Sequence, residues 1–128
     1  MLQRLLKITF ALMVLAMVIY PFARRGIMYY QYQAEIQKIT LGEIDPSKHD
    51  DGVYTGEYDA GLIRSHVQVH IKSGEITEIQ VDHQHERGER AEVIIHSVIE
   101  EQSIEVDTIT GATDSSIVIL KSIETALE

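Results

Sequence analysis

Residues 8–23, Ile-Thr-Phe-Ala-Leu-Met-Val-Leu-Ala-Met-Val-Ile-Tyr-Pro-Phe-Ala, form an almost wholly apolar block. Arg4 and Lys7 precede it and Arg24 and Arg25 follow it. A bilayer core needs about 20 apolar residues in a helix, and adding Leu5 and Leu6 while the flanking basic side chains snorkel outward brings this segment close. A cleaved signal peptide has a similar outline. However, the run Tyr20-Pro21-Phe22-Ala23-Arg24-Arg25 is bulky and then basic, with no small-x-small cleavage site. The pattern predicts a retained single-pass helix, with residues 1–25 as a membrane anchor.

Residues 26–50 read as a connecting helix or stalk. Tyr29, Tyr30 and Tyr32 fall at the level where amphipathic aromatics meet a membrane surface. The polar stretch Asp45-Pro46-Ser47-Lys48-His49-Asp50-Asp51-Gly52 then breaks any helix, and a domain over residues 51–128 begins within it. Ile63, Ser65, Val67, Val69 and Ile71 alternate with Arg64, His66, Gln68, His70 and Lys72, the period of a half-buried strand. After the turn Lys72-Ser73-Gly74-Glu75, Ile79 and Val81 repeat the alternation in a second strand that ends near His83. From Gly88 the period lengthens: Ala91, Ile94, Ile95, Val98 and Ile99 follow helical spacing, as do Leu120, Ile123 and Leu127. These elements predict an α+β fold, a small antiparallel sheet of two or three strands with two covering helices, preceded by one N-terminal transmembrane helix.

Charge sharpens this division. All 20 acidic residues lie after Arg25, against seven Lys and Arg there, which leaves that part at −13. Such a surface repels nucleic acid and anionic lipid, so DNA or RNA partners are not expected. Two basic residues on each side of the apolar block give the positive-inside rule nothing to choose between. The chain has no cysteine, which excludes disulfides, thiol nucleophiles and c-type haem attachment; redox chemistry here requires a bound cofactor. No Gly-x-Ser-x-Gly elbow, Walker motif or dinucleotide fingerprint is present.

Two short segments carry the chemistry. Asp107-Thr108-Ile109-Thr110-Gly111-Ala112-Thr113-Asp114-Ser115-Ser116 lies between an apolar stretch and the last helix. By itself it is also an ordinary loop running into a helix N-cap, with Thr113 or Asp114 as the capping residue. Upstream, Asp51-Gly52-Val53-Tyr54-Thr55-Gly56 opens the domain. Together, and in this order around a hairpin and a helix, the two segments resemble the FMN-binding domain family over about residues 51–127. The Asp-x-Ile-Thr-Gly-Ala-Thr core is similar to that family's covalent flavin attachment motif. The larger FMN-carrying subunits of Rnf-type and sodium-pumping NADH:quinone oxidoreductase complexes share the resemblance.

The resemblance implies that Thr113 carries FMN through a phosphoester bond. It implies that Asp107 belongs to the motif read by a flavin transferase, with Thr110, Gly111 and Ala112 completing it. The spacing suits that chemistry. Gly111 permits a sharp turn with positive φ, Ala112 is small, and Thr113 supplies a hydroxyl at a helix start, where free N–H groups favour an anion. Ser115 and Ser116 are then further donors to the phosphate. The family's domain usually faces outward, so the resemblance also implies a cell-membrane protein with an extracytoplasmic domain. It further implies an electron carrier with a membrane redox partner rather than a stand-alone enzyme.

The histidines offer a competing signal. His83 and His85 share one face of a strand end beside Asp82 and Glu86, and His66 and His70 share the polar face of the preceding strand. Such a pair beside carboxylates can bind a divalent metal, although no spacing fixes a third and fourth ligand. Alternatively His83 and His85 line the flavin pocket, since that strand end leads toward the attachment loop. His85-Glu86 matches a His-Glu pair of the family. The following Arg87-Gly88-Glu89 departs from the Thr-Pro-Gly of the larger relatives. An unflavinylated binding module and a His-based metal-binding protein are the alternative readings of the chain.

Overall fold

In the computed structural model the helix that begins in the apolar N-terminal segment does not end at Arg25. A single helix, α1, runs unbroken over Leu2–Lys38, 37 residues or about 55 Å at the α-helical rise. It is long and apolar enough to cross a membrane. Pro21 lies inside it and forgoes one backbone hydrogen bond, an omission tolerated in apolar helices. Residues 1–31 are all exposed in the monomer, and the first buried side chains are Tyr32 and Ile36. The last two turns of α1 thus belong to the folded domain. The structure describes residues 1–83 and 88–128, with only the backbone of residues 83, 88 and 89.

The domain is built on an antiparallel meander of three strands, β1 (Gly52–Asp59), β2 (Arg64–Lys72) and β3 (Glu75–His83), in the order β1-β2-β3. Ser73 and Gly74 both have positive φ, 54° and 77°, the backbone a tight two-residue hairpin requires, and Asp51 accepts from the Ser73 N–H at 2.6 Å. Alternation dictates the faces. Ser65, Val67, Val69 and Ile71 of β2 are buried, with Val67 opposite Val81 and Val69 opposite Ile79. His66, Gln68 and His70 lie on the other, more open face, where Glu57, His66 and Asp82 stand in one cross-strand row. An irregularity between His70 and Ile71 leaves Thr77 unpaired and lets Ile76 turn into the core.

Three helices follow the sheet. The helical pattern from Gly88 is realised in two pieces, a single turn α2 (Gly88–Ala91) and α3 (Ile94–Glu101), separated at Glu92 and Val93. The last helix, α4 (Thr113–Ala126), packs across β1 and β2, while α3 packs on β3. Ile119, Leu120, Ile123 and Leu127 join Val67, Val69, Ile79, Ile94 and Val98 in the main core. Each such side chain contributes about 1.5–3 kcal/mol on burial.

A second, smaller cluster holds the tether. Tyr32 and Ile36 of α1 pack with Ala60, Ile63 and Val118. The Tyr58 hydroxyl donates to Glu35 at 3.0 Å, and Lys121 donates to the Thr40 carbonyl at 3.2 Å while pairing with Glu124. The connection after α1 is therefore strapped along α4 before it reaches a short 3-10 turn at Pro46–Lys48, where the Asp45 carboxylate accepts from the Ser47 N–H.

One backbone position controls how closely α4 approaches the sheet. A Cβ on Gly56 would lie 2.2 Å from the Ser122 carbonyl oxygen and 2.4 Å from the Ala126 nitrogen. Gly56→Ala should destabilise the domain by about 2–3 kcal/mol through forced separation of β1 and α4. Gly52→Ala, with nothing within 4 Å of its new Cβ, should be close to neutral. Urea unfolding of the two variants checks this; equal midpoints would show that α4 is not held by that contact.

Candidate functional site

The loop over residues 102–112 is fastened to the core at regular points. Gln102, with φ 52°, ends α3 and uses its amide twice on β3: it accepts from the Ile76 N–H at 2.6 Å and donates to the Ile76 carbonyl at 2.9 Å. Ile104 and Ala112 are buried, and Val106 and Ile109 are partly buried against the core. Glu105, Asp107, Thr108 and Thr110 point to solvent between these anchors. Sequence thus writes an irregular apolar spacing that holds a non-repetitive segment in place.

The loop ends in a tight turn. The Ala112 N–H donates to the Ile109 carbonyl at 2.9 Å, and Gly111 has φ 81°, a conformation that strains any residue with a Cβ. Ser116, fully buried, closes the turn from below. Its Oγ donates to the Ala112 carbonyl at 2.7 Å and accepts from the Ile109 N–H at 3.2 Å. Ser116 therefore fixes the loop, with its hydroxyl already engaged. Ser115 is buried beside it.

Neither Thr113 nor Asp114 caps α4. The cap position belongs to Ala112, which makes no side-chain cap hydrogen bond, and Thr113 is the first helical residue. The first N–H groups of α4 thus start without a capping side chain, at the positive end of a 14-residue helix. Thr113 is exposed there and lines a cavity of about 550 Å³. Leu62 and Ile63 from the β1–β2 connection and residues 111–115 form two sides of that cavity, and Tyr29, Tyr32 and Gln33 of α1 form a third. Its volume falls within the range of about 300–1,000 Å³ typical of small-molecule and cofactor sites.

Two features here were not visible as site residues in the chain. The first is Tyr32, whose hydroxyl donates to Asp114 Oδ2 at 2.7 Å, one residue beyond Thr113. Tyr32 is buried against the domain. The spacing Tyr29, Tyr32, Ile36 is a helical stripe, and it is the signal by which this face of α1 can be found in retrospect. The second is Arg90 of α2, whose Nη1 lies 3.3 Å from where a Cβ on Gly111 would stand. Among the described residues the exposed Arg90 guanidinium has no ion-pair partner. Nothing in its local sequence marks it, since only the fold brings α2 to the loop.

The structure brings Thr110, Gly111, Ala112, Thr113, Ser115 and Ser116 together at one turn. Asp107 stands apart on the solvent side of the loop. β3 ends at His83, opposite Ser65, and His85 lies outside the described residues. Among the described residues no group of three or more His, Asp or Glu side chains is arranged to hold a metal ion.

Residues 61–128, which include the cavity's loop and α4, match the family model of the FMN-binding domain, and the chain belongs to that family. Comparisons with curated proteins and with solved structures give no match.

Ser116→Ala should cost about 1–3 kcal/mol, because the Ile109 N–H and the Ala112 carbonyl both lose their side-chain partner. The same change should speed proteolytic cleavage of residues 105–113, and an unaltered cleavage rate would count against its role as the loop's fastening. A pH effect follows from Tyr58. Burial first, then the hydrogen bond and negative charge of Glu35, raise its phenol above the ordinary value near 10. A raised folded value means that its contribution to docking α1 is complete below the ordinary tyrosine range and is lost as pH rises through the raised value. Tyrosinate absorbance should show less late-ionising phenol in Tyr58→Phe than in wild type; matching titration curves would refute the assignment.

Proposed function

We propose that this member of the FMN-binding domain family is a membrane-anchored electron-transfer protein that carries FMN as a phosphoester on Thr113. The observation that carries this reading is the position of Thr113. It presents an exposed hydroxyl at the uncapped start of α4, on the edge of a cavity large enough for a cofactor. The donor set fits a phosphate. Arg90 supplies a cation beside Gly111, and the first-turn N–H groups of α4 supply further donors.

Attachment is a group transfer with no change of oxidation state. The Thr113 oxygen forms a new bond to phosphorus, the bond from phosphorus to a leaving phosphate breaks, and the hydroxyl proton departs with that leaving group. The donor must therefore be an activated flavin phosphate of the dinucleotide class, delivered by a flavin transferase. Asp107 and Thr110, exposed on the loop, are the side chains such an enzyme meets first. Gly111 and Ser116 hold the turn that presents Thr113. When bound, FMN supplies one- and two-electron exchange that no side chain of this cysteine-free chain provides.

The residues around the loop bind and orient. Arg90 and the α4 N-terminus neutralise the phosphate, Leu62 and Ile63 offer an apolar surface, and Asp114 holds Tyr32 in place. We place α1 across the cell membrane and the domain on its extracytoplasmic side, where the family's modification occurs. A membrane redox partner then meets a cofactor that neither diffuses away nor leaves the surface, because tethering raises its effective concentration.

Intact-mass measurement after co-expression with a flavin transferase tests the reading. Wild type should gain the mass of FMN less one water, Thr113→Val should gain nothing, and Arg90→Gln should be modified to a several-fold smaller extent. An unmodified wild-type chain beside a transferase active on another substrate would overturn the proposal.

A further inference from the structure

We infer that the tether helix is itself one wall of the flavin site, with Tyr29 and Tyr32 facing the isoalloxazine end of the cofactor. The inference rests on attachment at Thr113 and adds a set of binding residues outside the segment that matches the family, since α1 precedes residue 61.

FMN has a charged end and a flat aromatic end joined by a flexible chain. With the phosphate fixed at Thr113, the ring system must lie within one cofactor length of that oxygen. The cavity that Thr113 lines lies between the loop and α1 and is bordered on the α1 side by Tyr29, Tyr32 and Gln33. Two other cavities, one between β3 and α3 and one beside α1 that shares Tyr32 and Leu62, do not include Thr113. The space beside the attachment point is thus bounded by two phenol rings. Their centroids are 6.2 Å apart and the rings are tilted by 47°. Electron-rich phenols are suitable stacking partners for an oxidised, electron-poor flavin.

The two tyrosines have different tasks. Tyr32 is 7% exposed and its hydroxyl is bonded to Asp114, so its ring is locked in place. Tyr29 is 58% exposed, leaving a face open to the cavity for a planar ligand. Tyr32 is a positioning residue that couples α1 to the first turn of α4, and Tyr29 is the contact residue. Tyr29 also sits four residues past Arg25, about 6 Å along the helix axis. The ring system is thereby held on the side of the domain nearest the apolar segment.

The test uses the full chain in detergent, flavinylated by a transferase, with intact mass and flavin fluorescence read on the same samples. Tyrosine stacking quenches flavin emission. Wild type should be dimmer than free FMN, and Tyr29→Leu should raise emission several-fold per bound flavin, the amount bound being read from the intact mass of each sample. Tyr32→Phe, which keeps the ring and loses only the Asp114 bond, should give a smaller rise and lower emission anisotropy. Because Tyr29 is exposed, its replacement leaves the fold intact, and an unchanged thermal transition confirms that. Equal emission in wild type and Tyr29→Leu, both carrying FMN, would overturn the wall assignment alone. A wild-type chain without the FMN mass would instead overturn attachment, so the two failures are distinguishable.

Discussion

Burial of α4 is the constraint on which the rest of the structure depends. One side of this helix fills the space above β1 and β2 with Ile119, Leu120, Ile123 and Leu127, and Val118 faces the tether cluster. Among the described residues it is the one element that supplies fully buried side chains to both clusters, while Tyr54 and Tyr58 of β1 pack against their edges. Its approach to the sheet is limited only by backbone, since Gly56 brings β1 against Ser122 and Ala126 with no intervening side chain. Where α4 lies therefore decides where its first residue lies, and Thr113 inherits a position defined by the whole core.

The site is a junction of elements far apart in sequence. The loop before α4 is closed by its own hydrogen bonds through Ser116 and by the positive φ of Gly111. α1 reaches the same turn from the other side through Tyr32 and Asp114. Arg90 arrives from a third direction on a single helical turn. A small domain with little interior volume gains a cofactor-sized cavity this way, by setting a long helix beside a loop instead of hollowing its core. The arrangement also fixes the cavity relative to α1, because Tyr29, Tyr32 and Gln33 of that helix line it.

Much of this was legible in the chain. The alternation around Val67 and Val69 specified which face of β2 is buried, since a one-residue slip would reverse every side chain. Turn chemistry at Ser73-Gly74 placed the hairpin, and the helical spacing of Leu120, Ile123 and Leu127 placed α4. The motif around Thr113 named the family to which residues 61–128 belong. Other features escaped such reading. Helical spacing continues smoothly from Ala91 to Ile99, yet the helix divides at Glu92 and Val93, because packing against the sheet, not propensity, decides where a short helix turns. The tyrosines after Arg25 suit a membrane surface as well as a domain contact, and local pattern does not separate the two.

The sequence by itself determined the apolar N-terminal helix, the α+β order of elements, the buried faces and the motif at residues 107–113. Each of these is set by periodicity or by a contiguous run of residues, which a linear reading captures. Only the tertiary structure decided that α1 continues to Lys38 and docks on α4, that Ala112 rather than Thr113 holds the cap position, that Ser116 is spent on the loop, and that Arg90 stands beside Gly111. Those are relations between residues up to 82 positions apart, as Tyr32 and Asp114 are. They exist because burial of α4 brings the segments together, and no local pattern records which distant partner a polar side chain will meet.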